Sequence, residues 1–250
     1  MKKAVNRKVL KYGGLALGLV MWEIIGIAMS DVIPPLHVVI KALITLLKQG
    51  QLLAGLGTSM LLLSAGYLLA VIIGVLLGVG MGRYQWADEM LGVFVDAAMA
   101  VPMVSFVPVL VILLGTGNLT QVAVVVLFSV FPIIVNTYTG IKGVKNSLLE
   151  MSYAFGAVER QIVMKILFPA ALPGMITGMK LGMSRAIKGM INAQMLIAVV
   201  GLGQMMTYYG DSFQMDFLFA IILVIVIVTI IVNELMRNLD KLVIHWQQHA

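Results

Sequence analysis

Three basic residues, Lys180, Arg185 and Lys188, interrupt an otherwise apolar stretch from about Leu172 to Ile197. At about 100° per residue they share an arc of roughly 140° with Thr177, Ser184 and Asn192, an arc that Leu181 and Ile191 also enter. Charge inside an apolar span is costly and ordinarily faces a water-filled path or a partner. One chemistry suited to this face is passage of an anion along Lys180, Ser184, Arg185, Lys188 and Asn192, with Gln194 as a further pathway candidate. The other reading is structural: Lys180 and Arg185 pair with carboxylates or snorkel to water. Glu23, beside Trp22 in another apolar stretch, is a candidate partner for one of these bases in a structural role.

Bond-making chemistry finds little support. There is no cysteine, which excludes thiolate catalysis and Cys-ligated metals. His37, His245 and His249 share no metal-ligand spacing. No G-x-x-x-x-G-K-[ST] motif occurs: the run from Gly140 to Ser147 has neither the spacing nor the Gly-Lys pair. Any ATP hydrolysis must come from another polypeptide. The chain is read as moving solute, not as an enzyme.

The composition names the solvent. Hydrophobic residues make up 61% and charged residues 11% of the 250, against about 45–50% and about 25% in globular proteins. With a mean hydropathy of +1.04, the surplus apolar surface must face lipid. The net charge of +6 fits basic cytoplasmic loops and does not require nucleic acid.

These features predict an all-α membrane protein, a polytopic bundle of about six transmembrane helices forming a single domain over 1–250. A short cytoplasmic tail, 1–11, precedes a first span from Tyr12 to Met29. Its length, and the absence of a small-x-small site at Met29-Ser30-Asp31, argue against a cleaved signal. Val38 to Leu47 is too short to cross and is expected along the membrane surface. Further spans are expected at about 59–81, 91–114, 119–141, 172–197 and 217–235, with a polar turn through Asp88 and Glu89. A tight outer turn is expected at Gly115-Thr116-Gly117-Asn118. This count places both termini and a charged loop, about 142–168, in the cytoplasm. Gly66, Ala70, Gly74, Gly78 and Gly82 form one small-residue stripe, and Gly174, Gly178, Gly182 and Ala186 another. Such stripes allow close helix packing, chiefly within the chain, with a subunit contact as the alternative.

Within the charged loop, Ser147 to Phe155 suits a short helix ended by Gly156, and Ala157 to Leu167 a second. Pro169 suits the start of the next span, where its missing N–H costs little. A helix–Gly–helix elbow between two spans is a shape able to dock in a partner's groove. The segment Glu150-Met151-Ser152-Tyr153-Ala154-Phe155-Gly156, with Ile166 and Pro169, resembles the EAA loop of ABC-importer permeases. Its pattern is E-A-A, a Gly six residues after the Glu, then Ile, then L-P. Met151 and Ser152 replace the two alanines and Phe168 the leucine.

The resemblance extends over nearly the whole chain. Trp22-Glu23, Pro102, Pro108, Gly115-Thr116-Gly117, Lys180 to Ala186 and Gly201-Leu202-Gly203 are similar to the nitrate/sulfonate/taurine/bicarbonate permease group. Gln194 departs from it, standing where the group commonly has Glu. The resemblance implies a type I importer fold in a bacterial inner membrane. It implies an ATPase dimer, which binds ATP and magnesium, a second permease subunit, with a homodimer favoured, and an extracytoplasmic solute-binding protein. Glu150, Ala154, Gly156, Glu159, Arg160, Ile166 and Pro169 would then form the coupling surface. The expected cargo is a small anion; the rivals are a neutral or zwitterionic nitrogen compound, an ATP-independent carrier, or a scaffold without transport.

Overall fold

The computed structural model describes residues 7–30, 32–197 and 200–244, with backbone alone at 7–12 and 239–244. Residues 1–6 of the N-terminal tail, His245 and His249 lie outside the described residues. Helices account for the regular structure among them. In chain order these are α1 (Arg7–Ala28), α2 (Leu36–Lys48), α3 (Gln51–Arg83), α4 (Gln85–Ala100), α5 (Val107–Leu114) and α6 (Asn118–Lys142). Then come α7 (Asn146–Ala154), α8 (Glu159–Ile162), α9 (Phe168–Ile197), α10 (Leu202–Asp211) and α11 (Met215–Ile244).

Among the described residues, four helical runs are long and apolar enough to cross a membrane, or five if the bent pair of α4 and Met103–Leu114 is one span: α3, α6, the continuous run Glu159–Ile197, and Met215–Asn238 of α11. The apolar part of α1, Gly13–Ala28, is shorter. The expected straight third span is instead broken. α4 and the segment Met103–Leu114 meet at 103°, because Pro102 has no N–H to donate and pushes Val101 into extended backbone. The polar turn expected through Asp88 and Glu89 is helical, with Asp88 in the first turn of α4.

The core is built around α6. The glycines of the α3 stripe meet side chains or carbonyls of α6: Gly66 lies on Val125, Gly74 on Ile133, Gly78 on Thr137 and Gly82 on Ile141. Both positions rise together, so the two helices run parallel. A β-branched side chain on α6 fills the notch left by each glycine, and a Cβ at Gly78 would come within 2.6 Å of the Thr137 Cβ. The stripe therefore packs within the chain. On its other side α6 runs antiparallel to α9, whose Gly174 packs on Asn136 and Gly140, Gly178 on Asn136 and Ile133, Gly182 on Ser129 and Ile133, and Gly189 on Phe128. Ile133 is clasped from both sides. Three helices can approach this closely only where the intervening residues lack side chains.

At the end of the bundle opposite residue 84, α2 buries Val39, Ala42 and Leu46 in one cluster with Leu202, Met205 and Tyr209 of α10 and Ala220 and Ile221 of α11. α2 thus covers the bundle with one face. α10 itself is a helix that the spacing of apolar residues did not reveal.

Candidate functional site

The elbow is the best defined of the three regions where polar chemistry collects. Gly156 sits at φ +74°, in the left-handed region. Its N–H donates to the Tyr153 carbonyl at 2.9 Å and that of Ala157 to the Ser152 carbonyl at 3.0 Å. These two bonds close α7 and turn the chain. The second arm differs from expectation. It is not a separate helix: α8 passes through a π-helical stretch, Val163–Leu167, into α9. Pro169 is the second residue of α9, near its start as expected, although α8 and the π stretch run into that start as one 39-residue run. Pro173 lies inside α9 proper.

The elbow is anchored on one side and free on the other. Arg83, at the end of α3, donates to both carboxylate oxygens of Glu159, Nε–Oε1 2.6 Å and Nη2–Oε2 2.8 Å, and also to the Tyr153 hydroxyl. That hydroxyl donates to Glu159 Oε2 at 3.3 Å. Ile162 and Leu167 are buried with Ile141, Ala171 and Met175 beneath it. Ile166 and Pro169 are half-buried. α7, by contrast, buries no residue. Glu150, Ala154, Gly156 and Arg160 are exposed, and Phe155 is 84% exposed at the tip. Glu159 thus differs from its companions: it faces inward and holds the elbow. Nearby, Asp88 of α4 accepts from the Tyr138 hydroxyl at 2.9 Å and pairs with Lys142 at 3.2 Å, tying α4 to the end of α6.

The second region is the open face of α9. Arg185 lies between Gly182, packed on Ser129, and Gly189, packed on Phe128, level with the middle of α6. It is about 18 Å from the end of α9 at 1.5 Å per residue, farther than an arginine side chain reaches. Thr177, Arg185 and Lys188 are exposed; Lys180, Ser184 and Asn192 are half-buried. Among the described residues, Arg185 and Lys188 form no ion pair. Ser184 donates to Asn233 Oδ1 at 3.1 Å, so α11 covers one margin of this face. Glu23 stands elsewhere, bonded to His37 Nδ1 at 2.6 Å, because the last turn of α1 meets the first turn of α2. It pairs with no base of α9.

Gln194 also leaves the face on which it was expected. It is fully buried, about 40° beyond the edge of the polar arc of α9. Its Oε1 accepts from the Ser59 hydroxyl and the Gly203 N–H, each at 3.0 Å, while Ser59 Oγ accepts the Leu202 N–H at 3.0 Å. Gly201, at φ +97°, leaves no room for a Cβ against the Gln194 amide. This third region stitches the turn into α10 to both α3 and α9. Ser59 and Arg83 carried no local signal of these roles; each is only a polar residue near a span end.

The arrangement presents an exposed elbow at one end and a face with exposed basic residues at mid-bundle. A family model described as binding-protein-dependent transport system inner membrane component matches residues 66–245. A putative ABC transporter permease of Methanocaldococcus jannaschii is 28% identical over 98% of this chain and 95% of its own length. The formylaminopyrimidine transport permease of Halalkalibacterium halodurans is 26% identical over 92% of each. A putative aliphatic sulfonates transport permease of Bacillus subtilis is 25% identical over 99% of this chain and 92% of its own. Among solved structures, the inward-facing MetNI methionine ABC transporter aligns with a TM-score of 0.60 and 20% identity, covering 75% of this chain and 91% of that one. That last likeness is one of fold. With the family model spanning most of its length, this chain belongs to the inner membrane components of binding-protein-dependent ABC transport systems.

Proposed function

We propose that this chain forms one half of the membrane channel of an ATP-driven importer that carries a small anionic solute. The solute is delivered by an extracytoplasmic binding protein. A second permease subunit, a copy of this chain, completes the passage. A cytoplasmic ATPase dimer, binding ATP and magnesium, docks on the exposed face of α7 and the elbow tip. Both termini and the elbow face the cytoplasm in this reading, which also puts Lys142, Lys145, Arg160 and Lys165 on the side where basic loops collect.

The observation that carries the anionic reading is the mid-bundle exposure of Arg185 and Lys188. Exposed charge at that depth is tolerated where it lines water or a partner, and two copies meeting along α9 would enclose it. A neutral nitrogen compound is the second reading, favoured by the relative named for formylaminopyrimidine transport.

Uptake by the reconstituted complex separates the two. With Arg185→Ala or Lys188→Ala, uptake of ethanesulfonate, a plain anion, is expected to fall about tenfold or more, equal to roughly 1.4 kcal/mol at the passage. Uptake of a formylaminopyrimidine should change less than about twofold. Equal loss for both compounds would return these residues to a packing role. Uptake by the purified chain alone, without ATP, would favour a secondary carrier.

A further inference from the structure

A cavity of about 600 Å³ opens at the end of the bundle away from the elbow, between the first turns of α3, the turn at Gly201, and α10. The α9 cations do not line it. Its polar side chains include Gln49, Gln51, Gln204, Gln214 and Tyr208, and none of the described residues lining it is charged. This is the size of a small-molecule site, where a few polar groups set orientation.

The hydrogen bonds around it leave N–H groups uncommitted. The Tyr209 hydroxyl donates to Gln51 Oε1 at 3.2 Å, which occupies the acceptor of that amide and leaves its NH2. Burial pushes the Tyr209 hydroxyl up from its ordinary range, so it stays protonated and remains the donor. Its ring is fixed by stacking on Phe217, 5.0 Å between centroids. Thr58 spends its own proton on the Ala54 carbonyl at 3.0 Å. Behind the Gly201 wall, both bonds to Gln194 fall on Oε1, and its buried Nε2 has no acceptor. Gln194 does not itself line the cavity; the donors at its wall are the Gln51 NH2, the amides of Gln49, Gln204 and Gln214, and the Tyr208 hydroxyl.

We propose that this cavity is a receiving site that grips the acceptor oxygens of the incoming solute, sulfonyl, carboxyl or formyl, through neutral N–H and O–H donors. The proposal rests on the importer reading and deepens it: the solute is held first by hydrogen bonds, without ionic attraction, and meets charge only at α9. Gln204, half-buried and one turn from Tyr208, is the central donor.

The test is equilibrium binding of radiolabelled ethanesulfonate, and separately of a formylaminopyrimidine, to the permease–ATPase complex in nanodiscs without binding protein. Saturable binding of at least one probe is expected, and which one identifies the oxygen source. Gln204→Leu should weaken it about tenfold, a loss of roughly 1.4 kcal/mol. Gln204→Glu, of equal size, should abolish ethanesulfonate binding by like charge. Raising the salt from about 50 to about 500 mM, which shortens charge–charge reach, should change affinity less than about twofold. Arg185→Ala should leave it intact. Binding of neither probe, or binding lost with salt and Arg185→Ala but indifferent to Gln204→Leu, would overturn the site. ATP-driven uptake with an unchanged KM in Gln204→Leu would remove the site and leave the importer reading standing.

Discussion

Arg83 and Glu159 lie 76 residues apart, and their bidentate pair fixes the angle at which the elbow leaves the bundle. Glu159 stood out in the sequence because it lies in a charged loop beside a recognisable motif. Its partner did not, because a basic residue closing a span is ordinary. The Arg83 side chain is 19% exposed and that of Glu159 43%, so solvent screens the pair and its removal costs about 1 kcal/mol of local stability. The expected result for Arg83→Ala is a chain that inserts and folds, with amide exchange in residues 157–163 about fivefold faster. The double exchange Arg83→Glu with Glu159→Arg should recover part of that protection. Unchanged exchange in Arg83→Ala would show that Ile162 and Leu167 alone hold the elbow. The same scale explains Gln194: its position on α9 was legible, but its direction was not. The departure from the polar arc is slight in angle, and the Ser59 and Gly203 partners that draw it inward come from distant segments.

Among the elements, α3 was the most legible, since small residues every fourth position announce a packing face. The partner could not be named, because Val125, Ile133, Thr137 and Ile141 are as common on a lipid face as in a seam. Replacing Gly78 with Leu forces a side chain onto a site where even a Cβ would sit 2.6 Å from Thr137. Overpacking of this kind costs about 1–3 kcal/mol. Thermal unfolding in detergent should shift down by several degrees, whereas Gly80→Leu, whose Cβ would meet nothing within 4 Å, should leave it unchanged. Equal shifts would mean that the seam is not where these helices are held. The break at Val101–Pro102 and the short helix α10 were less legible for different reasons. Hydropathy integrates over a window and is blind to a bend. α10 is defined by its contacts with α2 and α11, not by an apolar run of its own. The elbow's first arm was readable from Gly156; the second runs into α9 through a π-helical stretch that no sequence pattern announced.

For the whole molecule, family membership joins the two ends of the bundle. An inner membrane component of an ABC system works between a delivered solute and ATP, and this chain has a polar receiving end, a cationic mid-section and an exposed elbow. The continuous run from Glu159 to Ile197 runs from the elbow past Arg185 and Lys188 to Gln194. A displacement of the elbow would therefore enter the same helical run that ends at the turn beside the far cavity, a coupling of distant sites. Docking through the exposed face of the elbow is the central claim, and it is tested without knowing the solute. The direct measurement is the amount of ATPase retained when the tagged chain is purified in detergent, for the wild type and for Phe155→Glu and Glu150→Lys. Both substitutions lie on exposed residues outside the core, so the fold should survive. Retention is expected to fall about tenfold or more, a loss of at least about 1.4 kcal/mol of docking free energy. Full retention of an active ATPase by both variants would contradict the account.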